Sequence, residues 1–358
     1  MLKTSPDLIE EDLKIGDAAA MPRTKAVGER VRRAPDQISV IIPVKNEEAS
    51  IEGLLGALVE QTYQPSEIVV TDGGSQDRTR EIVRDFGARS PVPVVLVETE
   101  QAFPGRGRNL AIERAAHEWV ASIDGGNVPE KDWLDALVET AKADERALIV
   151  YGRYKALTDS YFTECAAIAY LLPVHVFNRF IASSLIHRSA WEEAGGFRED
   201  LRSAEDLLFF RSLDAARVPS AQSERAFVCW SLQSSVAGTF RRFATYSRYN
   251  LKAGLSADWH RNVLRLYAVM LGCLIAGALV WWPLLLLPVG VVYLQTARRI
   301  NRWYAARPFS RRLFEMLNPR RVVTVAFVKL LVDAAMFEGI RQWFAKDYRG
   351  AAQTPGRR

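Results

Sequence analysis

The chain has 358 residues, 49% of them hydrophobic and 25% charged, a balance that supplies a real core and excludes a disordered or fibrous chain. Its three cysteines, Cys165, Cys229 and Cys273, are odd in number and show no CxxC spacing, which argues against a disulfide framework and fits a reducing compartment. The net charge of +5 is local, because acids lie mostly toward the N-terminus and arginines toward the C-terminus.

Residues 1–37 are polar and charged, with no apolar stretch of the signal-peptide kind. They are expected to form a loosely ordered arm that leaves the following domain cytoplasmic. The first strand is expected over 38–43, ISVIIP, a nearly continuous apolar run suited to a buried parallel strand. A helix should follow from about 48, with Ile51, Leu54, Leu55 and Leu58 at helical spacing. Then come a strand over 67–71, a helix over 77–86, a strand over 94–98, a helix over about 106–116 and a strand over 119–124. Strands and helices alternating at this spacing indicate βαβ units and a parallel sheet. Right-handed crossovers then gather the loops 45–48, 72–77 and 124–127 at the carboxyl ends of the strands, where open α/β sheets bind ligands. Further on, strands are expected over 148–153 and 181–187, a short helix over 189–194, a break at Gly195-Gly196-Phe197 and a helix from about Ala204. His117, His175, His187 and His260 lack metal-ligand spacing and read as structural residues.

Residues 238–252 place Phe240, Phe243, Tyr246 and Tyr249 three apart with arginines between them. That pattern suits a helix at a membrane interface, and equally an ordinary surface helix packing its aromatics on the domain. The thirty-two residues 266–297 carry no charged side chain, and arginines stand on both sides of them. Anionic lipid is favoured over nucleic acid as the partner of these arginines because they flank an apolar run. As one helix the run would be about 48 Å long, well over a hydrocarbon core of roughly 30 Å. A helical hairpin turning at Trp281-Trp282-Pro283 is expected instead, either spanning or re-entrant. A third apolar helix over 322–339 contains Lys329 and Asp333, four apart and able to neutralise each other.

Three acidic segments carry the chemistry. PVKNEE ends strand one, TDGGSQD ends strand two and IDGGN ends strand four, so their acids converge on one cleft. A carboxylate there accepts hydrogen bonds from ribose hydroxyls or, as Asp72 could, from a base N–H. Glycines after it allow close approach of a ligand to the backbone, although DGGS is also an ordinary turn sequence.

The order VIIPVKNEEASI, VVTDGGSQDRT, GRGRNLAIERA and SIDGGNVPEKDWL resembles the nucleotide-sugar half of family 2 glycosyltransferases, which have the GT-A fold. HRSAWEEAGGFREDLRSAEDLLFFRSL resembles their acceptor half. The resemblance covers about residues 38–250 and is nearest in layout to membrane-associated bacterial members that build polysaccharides and lipid-linked glycans. It implies a Rossmann-like, mostly parallel GT-A domain over 38–237, an interface segment over 238–262, membrane-associated helices over 263–345 and a tail over 346–358.

By the same resemblance, Pro43, Asn46 and Glu47 would hold the nucleoside, Asp72 the base and Arg108 the diphosphate. Asp124 would meet the ribose or a metal. Asp206, beside Glu205, would be the general base of an inverting transfer from a nucleotide-diphosphate sugar, UDP before GDP, to a lipid-linked or membrane-surface glycan. The sequence SAED at 203–206 also fits a helix capping box, with Ser203 as the cap. The family usually has Asp-x-Asp at the end of strand four, and here the second position is Gly126. A site built on Asp124 with Asn127 and phosphates would therefore hold Mg²⁺ or Mn²⁺ weakly, and otherwise Arg106 and Arg108 would carry the leaving-group charge. The Gln-x-x-Arg-Trp pattern of processive synthases is absent after Gln233, which points to single additions. Two other readings compete: a polyprenyl-phosphate sugar synthase, and a catalytically inactive, membrane-tethered binding module.

Overall fold

β1 (Ile38–Val44) is buried along its length except at Pro43, as a central parallel strand must be when helices cover both faces of its sheet. The computed structural model describes residues 35–174 and 176–348; the remainder of the expected N-terminal arm, His175 and the end of the C-terminal tail lie outside the described residues. β1 pairs in parallel with β2 (Glu67–Asp72) and β4 (Trp119–Ser122), and β2 with β3 (Val94–Glu98). α1 (Ile51–Val59), α2 (Thr79–Arg89) and α3 (Pro104–Arg114) make the connections. The alternating pattern is thus realised, with boundaries shifted by a few residues.

Beyond β4 the sheet turns mixed. β5 (Asn127–Pro129), β6 (Ile149–Leu157), β7 (Ser184–His187) and β8 (Ser220–Ser231) complete eight strands in the order β3-β2-β1-β4-β7-β6-β8-β5. β7 runs antiparallel to both β4 and β6, and β8 runs parallel to β6. Strand four stops at Ser122 rather than Asp124, which frees the following residues to turn. Neither β8 nor α4 (Trp133–Ala143) was expected from sequence. β8 is rich in Ser, Gln, Glu and Arg, and its burial alternates irregularly, so it has no apolar run to announce it.

Alternate residues of β1 feed opposite faces of the sheet. Val40 and Ile42 pack with Leu54, Leu58 and Trp133 on one side, while Ile41 packs with Val69, Ile112 and Phe209 on the other. The second layer includes α6 (Arg188–Glu193) and α7 (Glu205–Ala215). This α/β unit comprises residues 35–157 and 174–231.

The other unit takes residues 158–173 and 232–348. It holds α5 (Tyr161–Tyr170), α8 (Val236–Lys252), α9 (Ser256–Trp259), α10 (Arg261–Leu279), α11 (Leu286–Trp303), α12 (Phe309–Leu317) and α13 (Pro319–Trp343). The expected hairpin forms from α10 and α11, with its turn at 280–285. α10 is long and apolar enough to cross a membrane and is mostly exposed. α8 packs on α13 through small residues: a Cβ on Gly339 would meet the Ala244 carbonyl oxygen at 2.5 Å. The aromatics of α8 are half-buried, and its fully buried side is Gly238, Thr239, Ala244, Ser247 and Asn250. Lys329 and Asp333 pair as expected, and the Tyr267 hydroxyl donates to Asp333 at 2.8 Å.

Candidate active site

The loops after β1 and β2 are stitched together by side chain–backbone hydrogen bonds. The Asn46 N–H donates to Ser75 Oγ at 2.9 Å, and Asn46 Oδ1 accepts from the Gln76 N–H at 2.9 Å. Asn46 holds φ +56°, a left-handed conformation that Asn adopts more readily than most residues. The Glu47 N–H donates to Thr79 Oγ1 at 2.8 Å, and the Glu48 N–H to Asp77 Oδ2 at 3.1 Å. The residues of PVKNEE and TDGGSQD therefore form one rigid rim. Pro43 lies under this rim against α3, where a Cβ on Gly107 would come within 3.0 Å of it.

Asp72 is fully buried at the end of β2. Its Oδ1 accepts from the N–H groups of Gly74 and Ser75 at 3.1 and 3.0 Å and from Arg80 Nε at 2.6 Å. Burial alone would raise its pKa, but the hydrogen bonds from Ser75, Arg80 and Gly74 outweigh it and hold the carboxyl below the usual carboxylate range. Asp72 Oδ2 is buried with no hydrogen-bond partner among the described residues. Arg80 was not singled out from sequence. Its one signal is its place in the first turn of the helix that follows the acidic loop.

Arg108 departs from its expected place. Rather than facing a ligand, its guanidinium is buried beside the Phe197 ring, with Nη2 donating to Asp124 Oδ1 at 2.5 Å and Nη1 to Glu205 Oε1 at 2.7 Å. The two acids hold it charged, against the desolvation that would discharge it. Arg108 thus links the end of β4 to the start of α7. Arg106, one position before Gly107 on the exposed side of α3, has no ion-pair partner among the described residues.

Glu205 is buried, and its pKa is pushed up to about 7 by desolvation and by Asp206 beside it, while Arg108 pulls the other way. Asp206 is raised too, chiefly by burial; Arg108 opposes this and Asp124 adds to it. Asp206 is therefore in electrostatic reach of both ends of the Arg108 bridge. The alternative capping box does not form. The N-cap of α7 is Ala204 at φ +73°, it makes no side-chain cap, and the Ser203 hydroxyl is buried without a hydrogen-bond partner. Asp206 Oδ1 accepts instead from the Leu207 N–H at 2.8 Å.

Gly125 and Gly126 lie against Glu47: Cβ atoms on them would come within 3.1 and 3.4 Å of its side chain. Gly126 has φ +78°, a conformation that favours glycine. Among the described residues no group of three or more His, Cys, Asp or Glu could hold a metal ion. Asp124 is a single carboxylate, one of whose oxygens already meets Arg108. That donor set does not fit a divalent site made by the protein alone.

Asn109 was also missed. It is buried, accepts from the Trp191 Nε1–H at 3.0 Å and the Phe197 N–H at 2.9 Å, and donates to the Phe197 carbonyl at 2.9 Å. It fastens the loop through Gly195 and Gly196, at φ +77° and +74°, to α3. Its partners are more than eighty residues away, so no local pattern announces it.

Residues 39–198 match the family model described as glycosyl transferase family 2. Over 105 residues the chain is 41% identical to glycosyltransferase AglE of Haloferax volcanii, covering 29% of this chain and 34% of the relative. Over 201 residues it is 30% identical to the poly(ribitol-phosphate) beta-N-acetylglucosaminyltransferase TarS of Staphylococcus aureus, covering 53% of this chain and 35% of that one. The chain thus spans about a third of the length of these curated relatives. Among solved structures, the mannosyltransferase PcManGT from Pyrobaculum calidifontis, in complex with GDP-Man and Mn²⁺, superposes with a TM-score of 0.57 at 22% identity, over 82% of this chain and 87% of that one. That superposition shows the GT-A fold, and residues 39–198 form the region of this chain that matches glycosyl transferase family 2.

Proposed function

We propose that the chain is an inverting glycosyltransferase that moves a sugar from a nucleotide-diphosphate sugar to a hydroxyl of a lipid-linked or membrane-surface glycan. The observation that carries this reading is the chain Asp124–Arg108–Glu205 with Asp206 next to it. It sets a basic carboxylate within reach of the strand end where a donor phosphate belongs. Asp206 takes the proton of the acceptor hydroxyl as that oxygen attacks the anomeric carbon. The bond from that carbon to the diphosphate breaks on the opposite face, and the nucleoside diphosphate leaves with the electron pair. A carboxylate raised above its ordinary pKa is a stronger base, and Asp206 is raised.

The unpartnered Asp72 Oδ2 suits a base N–H donor such as N3–H of uracil, and a UDP-sugar is the proposed donor. Asn46 and Glu47 on the same rim face the ribose. Arg106, exposed and unpartnered among the described residues, meets the departing diphosphate. No step is routed through a divalent cation, since the protein's own donor set does not fit one.

The exposed apolar hairpin and its arginines support attachment to a membrane. The bacterial inner membrane, with the catalytic unit in the cytoplasm beside its nucleotide-sugar pool, is the proposed location.

The test is Asp206→Asn, assayed with labelled nucleotide sugars and extracted lipid. Turnover should fall by about 100-fold or more, the scale of general-base loss, while nucleotide affinity stays near wild type. Near-normal turnover would remove Asp206 as base and move the acceptor to a phosphate, which needs little base help.

A further inference from the structure

α12 is built inside out. Phe309, Phe314 and Leu317 are 63%, 59% and 62% exposed, whereas Glu315 on the same helix is 3% exposed. At the helical 100° per residue, Phe309, Leu313, Phe314, Met316 and Leu317 share one arc of about 160°, and Arg311, Arg312 and Glu315 occupy the opposite one. A surface helix in water turns its apolar arc inward. Here the polar arc is the one tied down. Glu315 forms ion pairs with Arg311 at 2.9 Å and with Arg321 at 2.8 Å. Arg321 also pairs with Glu164 at 2.8 Å, and the Tyr304 hydroxyl donates to Glu164 at 2.7 Å. Two acids and two arginines lock the orientation, so the apolar arc faces outward because its opposite side is pinned.

The charges around the helix indicate what lies against it. Arg307, at the rim of the cavity formed with Tyr304, Arg311 and Arg321, has no ion-pair partner among the described residues. The exposed Arg311 reaches over the Phe314 ring and Arg312 over the Phe309 ring, at 5.5 and 5.7 Å to the ring centroids. Aromatic side chains with arginines folded over them suit the acyl–headgroup boundary, where the rings enter the apolar layer and the guanidinium groups stay with the phosphates.

We infer that α12 lies in the plane of an anionic bilayer surface, with Phe309, Phe314 and Leu317 in the acyl boundary and Arg307 and Arg311 on lipid phosphates. This rests on the membrane attachment proposed above and adds a second contact to the α10–α11 hairpin. It gives the unit a foot whose orientation is set by the Glu315–Arg321–Glu164 network.

The test uses the full chain reconstituted in vesicles. A genetically encoded, environment-sensitive fluorescent side chain replaces Phe314 in one variant and Leu279, 79% exposed at the end of α10, in another. Vesicles are phosphatidylcholine alone or mixed with phosphatidylglycerol, with or without lipids brominated at shallow or deep acyl positions. The probe at 314 should emit blue, be quenched by shallow bromines and be quenched at least twofold more with phosphatidylglycerol present. The probe at 279 should be quenched in either vesicle. In the 314-probe chain, Arg307→Glu should reduce the phosphatidylglycerol effect. A red, unquenched probe at 314 with a quenched probe at 279 would overturn the α12 contact and leave membrane attachment standing. A blue but unquenched probe at 314 would place protein, such as a second copy, on that face and overturn the inference. Two unquenched probes would overturn membrane attachment itself. Quenching at 314 indifferent to phosphatidylglycerol and to Arg307→Glu would overturn the anionic-lipid assignment.

Discussion

Arg108 is better read as the residue that sets the charge of the site than as a ligand contact. It holds two carboxylates from distant parts of the chain on one guanidinium, an arrangement that needs the planar fork of arginine. Glu205 still sits at about 7 instead of 4.5, so the folded state binds a proton there that the unfolded chain has released between those values. A carboxyl whose pKa is raised on folding makes stability fall as pH climbs through that window. Glu205→Gln removes one of the two raised carboxyls and leaves Asp206 as the other. Relative to wild type, the variant should gain stability between pH 5 and pH 8, by at most about 3 kcal/mol, as followed by the thermal midpoint of the detergent-held chain at each pH. A wild type–variant difference that does not change with pH would contradict the raised pKa. The same burial raises Asp206, and activity should fall on the acid side at a pH above the ordinary carboxylate range.

Gly126 is a second residue-scale matter. Its φ of +78° means that Gly126→Asp strains the loop by about 1 kcal/mol, so restoring the family's second acid does not simply restore its metal site. Calorimetric titration of the wild-type chain with Mn²⁺, without nucleotide, should detect nothing tighter than roughly millimolar, because hard cations need several oxygen ligands. Micromolar binding to the bare chain would show a donor set that Asp124 does not account for.

At the scale of elements, the site depends on how α3 and α7 are held. Asn109→Ala would strip the Phe197 N–H and the Trp191 indole N–H of their acceptor at once. Buried donors left unsatisfied cost about 1–3 kcal/mol, and the loop ahead of Glu205 would lose its anchor. The expected result is a lower thermal midpoint together with a lower kcat, while nucleotide affinity, set by the β1 and β2 loops, stays put. A kcat unchanged at saturating acceptor would mean that the loop holds its shape without Asn109.

The elements also mark where sequence reading stops. β1, β2 and β4 were legible because parallel strands covered on both faces are apolar throughout, and their acids follow directly in the chain. β8 was not, since a strand carrying Ser, Gln, Glu and Arg has neither a run nor a clean alternation. The break at Gly195-Gly196-Phe197 and the helix after it were legible as motifs. The pairing of Arg108 with Glu205, ninety-seven residues away, is a product of tertiary folding that no local pattern encodes. Ala204 at φ +73° is the same case, because alanine gives no hint of a left-handed position. The capping reading of SAED was reasonable from spacing and failed because Ala204, not Ser203, ends up as the cap.

At the scale of the whole chain, the two units are interleaved in sequence. α5 leaves the α/β unit and joins the C-terminal helices, where it packs mainly on α13 and also on α11. Its residues Cys165 to Ala169 are all buried and apolar. A chain cut after Lys252 therefore keeps α5 and α8 but loses α13, the principal partner of both. From sequence alone such a cut falls just before the apolar run and should release a soluble catalytic domain. The structure reverses that expectation: small buried residues of α8, Ala244 and Ser247, and the apolar side of α5 would be left bare, an aggregation-prone patch. The truncated chain should sediment or require detergent. A variant that ends at 252 and also carries Ile168→Glu, which charges the face α5 would expose, should recover solubility in part. A truncated chain that runs as a soluble monomer without that change would mean that α5 and α8 find cover without α13, and that the C-terminal helices serve attachment more than folding.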